Sequence, residues 1–370
     1  MEGHKILLLV LGVILCAISS CSCSCSCSSL GIGATEGAGS PSFTLSPEVL
    51  DRIINRAVKT NISLDDITMN CQFSTMKGRR QYQEDRIFCN LDNVIPFHGY
   101  LGSKMVKVGV VAVFDGHIGE EASDMASKIF ESEFLLNTYR VNHQSEIGYG
   151  YFVPWSGPDS TLRRDDYVKA VEENLASGTT AVIALLVDNQ ILVANVGDSK
   201  ALLCSKNTQS SQDGGSQHLS PIQLTRDHNA LRDDERARIE AGGGYIIDWD
   251  VPLVMGHFPM TRAIGDVPLK RYGIIAEPEV TGWQPLSAND SYLVVASDGI
   301  FESLSPEDVC NLLDGEGDNK SSIKHFPSQP ASAADFIVQT AYVKGSSDNL
   351  SVVVVPLFSK RSTESIQDAI

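Results

Sequence analysis

Basic residues are scarce in this chain. Lys and Arg number 29 against 46 Asp and Glu, a formal net charge of −17 over 370 residues. A phosphate backbone needs a positive footprint, so a general nucleic-acid binder is excluded. Metal-type cysteine spacing is missing too. Of nine cysteines, Cys16, Cys21, Cys23, Cys25 and Cys27 crowd the start, while Cys71, Cys89, Cys204 and Cys310 are scattered with no CxxC pair. The scattered four read as small buried hydrophobes. No internal repeat is visible.

Residues 6–18 form an uninterrupted apolar run, ILLLVLGVILCAI, after Lys5 and before small residues. The run matches a secretory signal and is shorter than the ~18–20 residues that a membrane span prefers. Extended through the Cys-Ser repeat at 21–29, it reads equally as a membrane anchor, with those cysteines either palmitoylated or part of a linker. The expected layout is a signal peptide or anchor with its Cys/Ser-rich segment at 1–27, a flexible linker at 28–64, a folded domain at 65–358 and a polar tail at 359–370. Sequons begin at Asn61, Asn289, Asn319 and Asn349.

Within the domain, 106–114 reads as a buried strand ending on Asp-Gly. The spacing over 120–135 reads as a helix with Ala122, Met125, Ala126, Ile129 and Phe130 on one face. Two apolar strands at 180–187 and 190–196 are separated only by Asp188 and Asn189, a hairpin signal, and 201–204 continues them. Residues 206–221 read as a polar surface loop, 232–241 as a helix stopped by glycines, and 292–296 as a strand. Ser305 caps a helix to 313; 315–330 is a polar insert; a helix at 331–342 and a strand at 350–357 close the domain. The pattern is α+β, stacked sheets with helices outside.

Aspartates recur at the ends of apolar runs: Asp115-Gly116, Asp198-Ser199, Asp266 after Gly265, Asp298-Gly299 and Asp348-Asn349. Each alone is an ordinary turn signal. A carboxylate closing a buried strand is costly unless it is paired or binds a cation, and five with few basic neighbours point to a shared site for a hard cation such as Mg²⁺ or Mn²⁺. Arg80, Glu84 and Asp85 form a second charged group, with the arginine suited to phosphate. His117, two residues after Asp115, is a candidate general acid.

Eight stretches then stand in a recognisable order: GRRQYQEDR at 78–86, VFDGHIGEEA at 113–122, SGTTAV at 177–182, VANVGDSKALL at 193–203, LTRDHNALRDDERARIEAGG at 224–243, TRAIGD at 261–266, VVASDGIFE at 294–302 and GSSDNLSVVVV at 345–355. Together they resemble the metal-dependent protein phosphatase family, type 2C, and its plant branch in particular, over nearly all of the folded part. The resemblance implies a four-layer αββα sandwich of two mainly antiparallel sheets flanked by helices. It implies a serine/threonine protein phosphatase acting on phosphoprotein substrates as a monomer, with two Mg²⁺ or Mn²⁺ ions and a weaker third, through attack by a metal-bridging water. In those terms Asp115 and the Gly116 carbonyl, with Asp298 and Asp348, ligate the pair, and Glu84 and Asp85 act through waters. Asp198 serves the third ion with Asp298. Arg80 grips the phosphate, His117 protonates the departing oxygen, Asn349 orients the last ligand, and Asp266 stands nearby. Two positions depart from the family: Glu302 stands where Asp is usual, which leaves the third-ion site open, and Phe301 replaces Trp.

Two rival readings remain at this stage, a catalytically dead phosphoprotein-binding module and a hydrolase of small phosphoesters. The retained Asp115, Asp298, Asp348, Arg80 and His117 argue for activity. Cysteine-based phosphate chemistry has no support, because the positions six after each scattered cysteine are Lys77, Ile95, Ser210 and Glu316. The Gly-Asn-His-Glu signature of the other metallophosphatases is absent.

Overall fold

A computed structural model describes residues 71–99, 102–130, 176–206, 218–314 and 330–357, the side chains of 95–99 and 102–105 excepted. The N-terminal run, the linker, the inserts at 207–217 and 315–329, and the tail from 358 lie outside the described residues. So do Asn61 and Asn319. Among the described residues no helix is long and apolar enough to cross a membrane.

Strands β1 (Gln72–Met76), β2 (Arg86–Gly99) and β3 (Gly102–Phe114) open the domain. After β4 (Gly116–His117), residues 121–130 are helical (α1). The chain continues through β5 (Gly178–Thr179), β6 (Ala181–Val187), β7 (Gln190–Val196), β8 (Lys200–Lys206), β9 (Leu219–Gln223), α2 (Asp233–Ala241), β10 (Ile246–Ile247), β11 (Leu253–Val254) and β12 (Ile264–Gly265). A 3-10 turn (Val267–Tyr272) leads to β13 (Glu279–Val280), β14 (Gln284–Pro285), β15 (Asp290–Ala296), α3 (Asp298–Phe301), α4 (Pro306–Asp314), α5 (Ala333–Lys344) and β16 (Leu350–Pro356).

Two large antiparallel sheets result, in the orders β13-β7-β6-β3-β2 (with β14 also on β7) and β1-β16-β15-β8-β9, beside a small β12-β5-β4 sheet and a β10-β11 pair. Their central strands are buried on both faces, which is why these runs are continuously apolar rather than alternating. On β3, Val111 and Val113 face the other sheet while Val108, Val110, Ala112 and Phe114 pack outward with Ala126 and Phe130 of α1. On β15 and β16, Leu293, Val295, Val353 and Val355 point between the sheets, and Val294, Ala296, Val352 and Val354 pack against Val309 of α4 and Ile337 and Val338 of α5. The expected sandwich is the observed one: helix, sheet, sheet, helices.

Several expectations needed correction. The loop expected at 206–221 yields β9, an edge strand on β8; an edge position tolerates Pro221 because no partner needs its missing N–H. On α1, Met125 turns outward at 45 % exposed while Ser123 is buried, so the inward face is Ala122, Ser123, Ala126 and Phe130. The scattered cysteines are not free thiols: Cys71 is bonded to Cys89 and Cys204 to Cys310. Other expectations held. The Asp188-Asn189 turn joins β6 to β7, with Asp188 at φ 51°. Ser305 caps α4, its hydroxyl accepting from the Asp308 N–H at 3.1 Å while the Asp308 carboxylate accepts from the Ser305 N–H at 2.9 Å.

Candidate active site

The strand ends converge. Asp115 follows β3, Asp198 follows β7, Asp298 follows β15, and Asp348 precedes β16. The loop from β1 to β2 brings Arg80, Glu84 and Asp85 to the same end of the sandwich. Asn349 fixes that loop: its Nδ2 donates to the Lys77 and Tyr82 carbonyls at 2.8 and 2.9 Å, and its Oδ1 accepts from the Glu84 N–H at 2.8 Å. This is a wider role than orienting one ligand. With the amide committed and only 2 % exposed, the Asn349 sequon is closed to a glycan, whereas Asn289 lies exposed in the turn before β15.

The carboxylates sit close enough to resist ionisation. Burial, then the charges of Asp298, Asp85 and Asp198, hold Asp115 well above the usual carboxylate range. Burial pushes Asp85 up to about 7, assisted by Asp298 and Asp348 and opposed by hydrogen bonds from Ser351 and Ser297. Asp198 is likewise raised to about 7, by burial, Asp298 and Asp227. Asp298 is raised by burial and by Asp348. Asp85 is 3 % exposed; its Oδ2 accepts from the Ser297 hydroxyl at 3.0 Å, and its Oδ1 is buried without a hydrogen-bond partner. Such an orphaned buried oxygen beside mutually repelling carboxylates is what a missing cation with its waters would satisfy. The donors are all hard oxygens, so the residues fit Mg²⁺ or Mn²⁺.

Among the described residues no three His, Cys, Asp or Glu side chains are gathered closely enough to hold an ion as they stand. Several of the carboxylate oxygens have protein partners. The Asp348 Oδ2 accepts from Arg80 Nη2 at 2.6 Å and its Oδ1 from the Asn349 N–H at 2.6 Å. The Asp115 Oδ2 accepts from the Asp298 N–H at 3.3 Å, and the Glu84 Oε1 from the Gly119 N–H at 2.6 Å. Glu302, expected near a third ion, adds its charge to those acting on Asp298 and also orders the loop before Asp348: its Oε2 accepts from the Ser346 hydroxyl at 3.0 Å and from the Ser347 N–H at 2.8 Å.

His117 and Asp266 form a pair, Nε2 to Oδ2 at 2.8 Å, with the edge of the imidazole on Phe258. Burial works against charge on the ring, but the Asp266 carboxylate outweighs it and His117 is raised above its ordinary value. Asp266 is 1 % exposed and takes a left-handed backbone at φ 48°, a strained conformation for a residue with a Cβ. Gly178 makes the pairing possible: a Cβ there would lie 2.1 Å from the Asp266 Oδ2 and 2.2 Å from the His117 Nε2.

Sequence reasoning missed the supporting groups. Ser297 holds Asp85. Thr180 and Ser199 share a buried hydroxyl pair at 2.7 Å, with Thr180 Oγ1 also accepting from the Asp115 N–H at 3.2 Å. Glu235 is fully buried and anchors the stretch before Asp266: its carboxylate accepts from Arg238, from Arg262 at 2.6 Å and from the Thr261 hydroxyl at 2.6 Å. The only signal for these was their place inside the quoted stretches.

Comparison with known proteins finds relatives along most of the chain. A family model described as protein phosphatase 2C matches residues 69–350. The chain is 37 % identical to "Probable protein phosphatase 2C 51" of Arabidopsis thaliana, covering 80 % of this chain and 72 % of that protein. It is 39 % identical to "Probable protein phosphatase 2C 8" of Oryza sativa subsp. japonica, covering 77 % and 73 %. Among solved structures, a C. elegans sex determining protein superposes with a TM-score of 0.55 at 25 % identity, covering 84 % of this chain and 71 % of that one. A serine-threonine phosphatase 2C from Toxoplasma gondii shares the fold with a TM-score of 0.50 at 18 % identity, covering 77 % and 94 %.

Proposed function

This chain belongs to the protein phosphatase 2C family, in its plant-like branch, and is a serine/threonine protein phosphatase; from that premise we propose that it releases phosphate from phosphoserine and phosphothreonine with a pair of Mg²⁺ or Mn²⁺ ions. Asp115, the Gly116 carbonyl, Asp298 and Asp348 would hold the pair, with Glu84 and Asp85 behind them. Asp198 with Asp298 would serve a weaker third ion. When bound, the cations supply positive charge that makes water a stronger nucleophile near neutrality and offsets the charge building on the phosphoryl oxygens.

The chain's own residues do the rest. Arg80, half exposed and on the rim, turns from Asp348 to the substrate phosphate and offers it a planar pair of donors. Burial works against charge on His117, and the Asp266 carboxylate outweighs it in favour of the protonated form. His117 delivers that proton to the serine or threonine oxygen as the bond from phosphorus to that oxygen breaks. Water's oxygen completes the inorganic phosphate, and the proton that water loses restores the imidazole. Asp266 holds the ring so that one nitrogen is committed and the other is free for the substrate.

One observation carries this reading: buried aspartates raised by one another at the shared ends of two sheets, with an orphaned oxygen among them. The test is phosphate release from a phosphothreonine peptide by residues 60–360, with Mn²⁺, Mg²⁺ or EDTA, beside Asp298→Asn. Turnover that needs the metal and is lost in the variant supports the proposal. A folded protein with no turnover in either metal overturns it.

A further inference from the structure

Every cysteine among the described residues is in a disulfide. The Cα separations, 6.6 Å for Cys71–Cys89 and 5.4 Å for Cys204–Cys310, lie within the ~4.4–6.8 Å that a bridge spans without backbone movement. The two bridges act at different places. Cys204 on β8 and Cys310 on α4, 106 residues apart, fasten a sheet to its covering helix, and both are wholly buried. Cys71 and Cys89, 18 residues apart, join the start of β1 to β2 and so tie one sheet to the other. The segment they enclose carries Arg80, Glu84 and Asp85, so this bridge closes the root of the loop that supplies three site residues.

A bridge sealed in the core is a structural one. Redox sensors and exchange catalysts need an exposed, reactive thiolate, and Cys204 and Cys310 offer no surface to a reductant. Structural bridges form and persist where thiols are oxidised, and are rare where glutathione and thioredoxin keep them reduced. The apolar run at 6–18, ahead of the domain, is the type of segment that carries a chain across a membrane during synthesis.

We infer that the catalytic domain matures and works on the oxidising side of a membrane, in a lumen or outside the cell, and that its substrates are phosphoproteins of that space rather than of the cytosol. The substrate half rests on the phosphatase reading above; the compartment half does not. The domain's cysteines are therefore framework rather than chemistry.

The test uses the full-length chain, N-terminal segment included, produced in plant cells. Thiols are blocked with N-ethylmaleimide before lysis, and the protein is digested without reductant and mapped by mass spectrometry. The expected result is linked peptides for 71–89 and 204–310, with alkylation at these four positions at least tenfold below a reduced control. The domain is also expected in the medium, or inside sealed vesicles where added protease reaches it only after detergent. Alkylation at either pair, or a domain cleaved in sealed vesicles, overturns the inference. Phosphate release from a phosphothreonine peptide is measured on the same preparation. Linked and protected protein without turnover would overturn the phosphatase reading and the substrate half while leaving the compartment standing.

Discussion

Acid should strip the metal from this site before it harms the fold. Asp85 shows why. Burial raises it from 3.8 to about 7 in the metal-free protein. A shift of that size is about 3 pH units, or about 4 kcal/mol at 1.36 kcal/mol per unit. The folded-state value is raised, so the stability of the protonated form is fully present below pH ~4 and is lost as pH rises through 7. A cation that needs the ionised carboxylate competes with that proton. With the carboxyl half ionised at pH 7 and about one per cent ionised at pH 5, the competition costs about 2.3 kcal/mol, about fiftyfold in affinity. Calorimetric titration with Mn²⁺ at pH 5, 6 and 7, in buffers of different ionisation enthalpy, reads both quantities. The expected outcome is a Kd that weakens about fiftyfold down the series, with proton release from this group rising from about half a proton per binding event at pH 7 to about one at pH 5. A Kd constant within threefold and no proton release would refute the reasoning. Melting temperature alone is a poor readout, because burial lowers His228 to about 4 and this depressed histidine makes the fold gain stability as pH rises from 4 to 6.5.

Three further outcomes follow from named contacts. Burial opposes charge on Glu235, but hydrogen bonds from Arg238 and Arg262 hold it well below the usual carboxylate range. Glu235→Gln leaves those arginines uncompensated and should cost about 3–5 kcal/mol, a fall in Tm of roughly 6–20 °C by calorimetry; a fall below about 2 °C would contradict it. The Glu235 contribution is present above pH ~4.3 and disappears as pH falls further. Gly178→Ala drives a methyl between His117 and Asp266 and should lower kcat about a hundredfold through misplacement of the acid, while Mn²⁺ affinity stays within threefold. His117→Ala should cost ~10²–10⁴ in kcat on phosphothreonine peptides but far less on an aryl phosphate, whose leaving oxygen departs without a proton; equal losses on both would remove the general-acid role.

The sandwich was legible where burial is two-sided. VKVGVVAVF, AVIALLV and LSVVVV could be nothing but central strands, and the strands lie where the runs lie. β1 was not legible: its five residues alternate between half-buried and exposed, and QFSTM carries too little apolar character to stand out from a loop. β9 was masked by Pro221. The aspartates proposed to face the metal were legible because each ends an apolar run. Glu235, Ser297 and Thr180 were not, since a polar residue inside a motif looks the same whether it faces solvent or supports a neighbour from below. The cysteine pairs were hidden for a related reason. Eighteen residues separate one pair and 106 the other, and only the stacking of the two sheets and the docking of α4 bring the sulfurs within bonding reach.

The Arg80–Asp348 ion pair has a kinetic consequence. One of its partners is the residue proposed to grip the phosphate and the other a proposed cation ligand, so in those roles the contact between Nη2 and Oδ2 competes with both jobs. Whichever arrives first frees the partner needed by the second. A cation that claims Asp348 releases Arg80 for the phosphoprotein, and a phosphate that draws Arg80 away leaves Asp348 open to the cation. In the proposed roles loading would be mutually assisted, and a substrate arriving without metal would compete with Asp348 for one of the guanidinium's N–H groups. In those proposed roles the pair would act as an interlock, weakening the hold on phosphoproteins until a cation has taken Asp348.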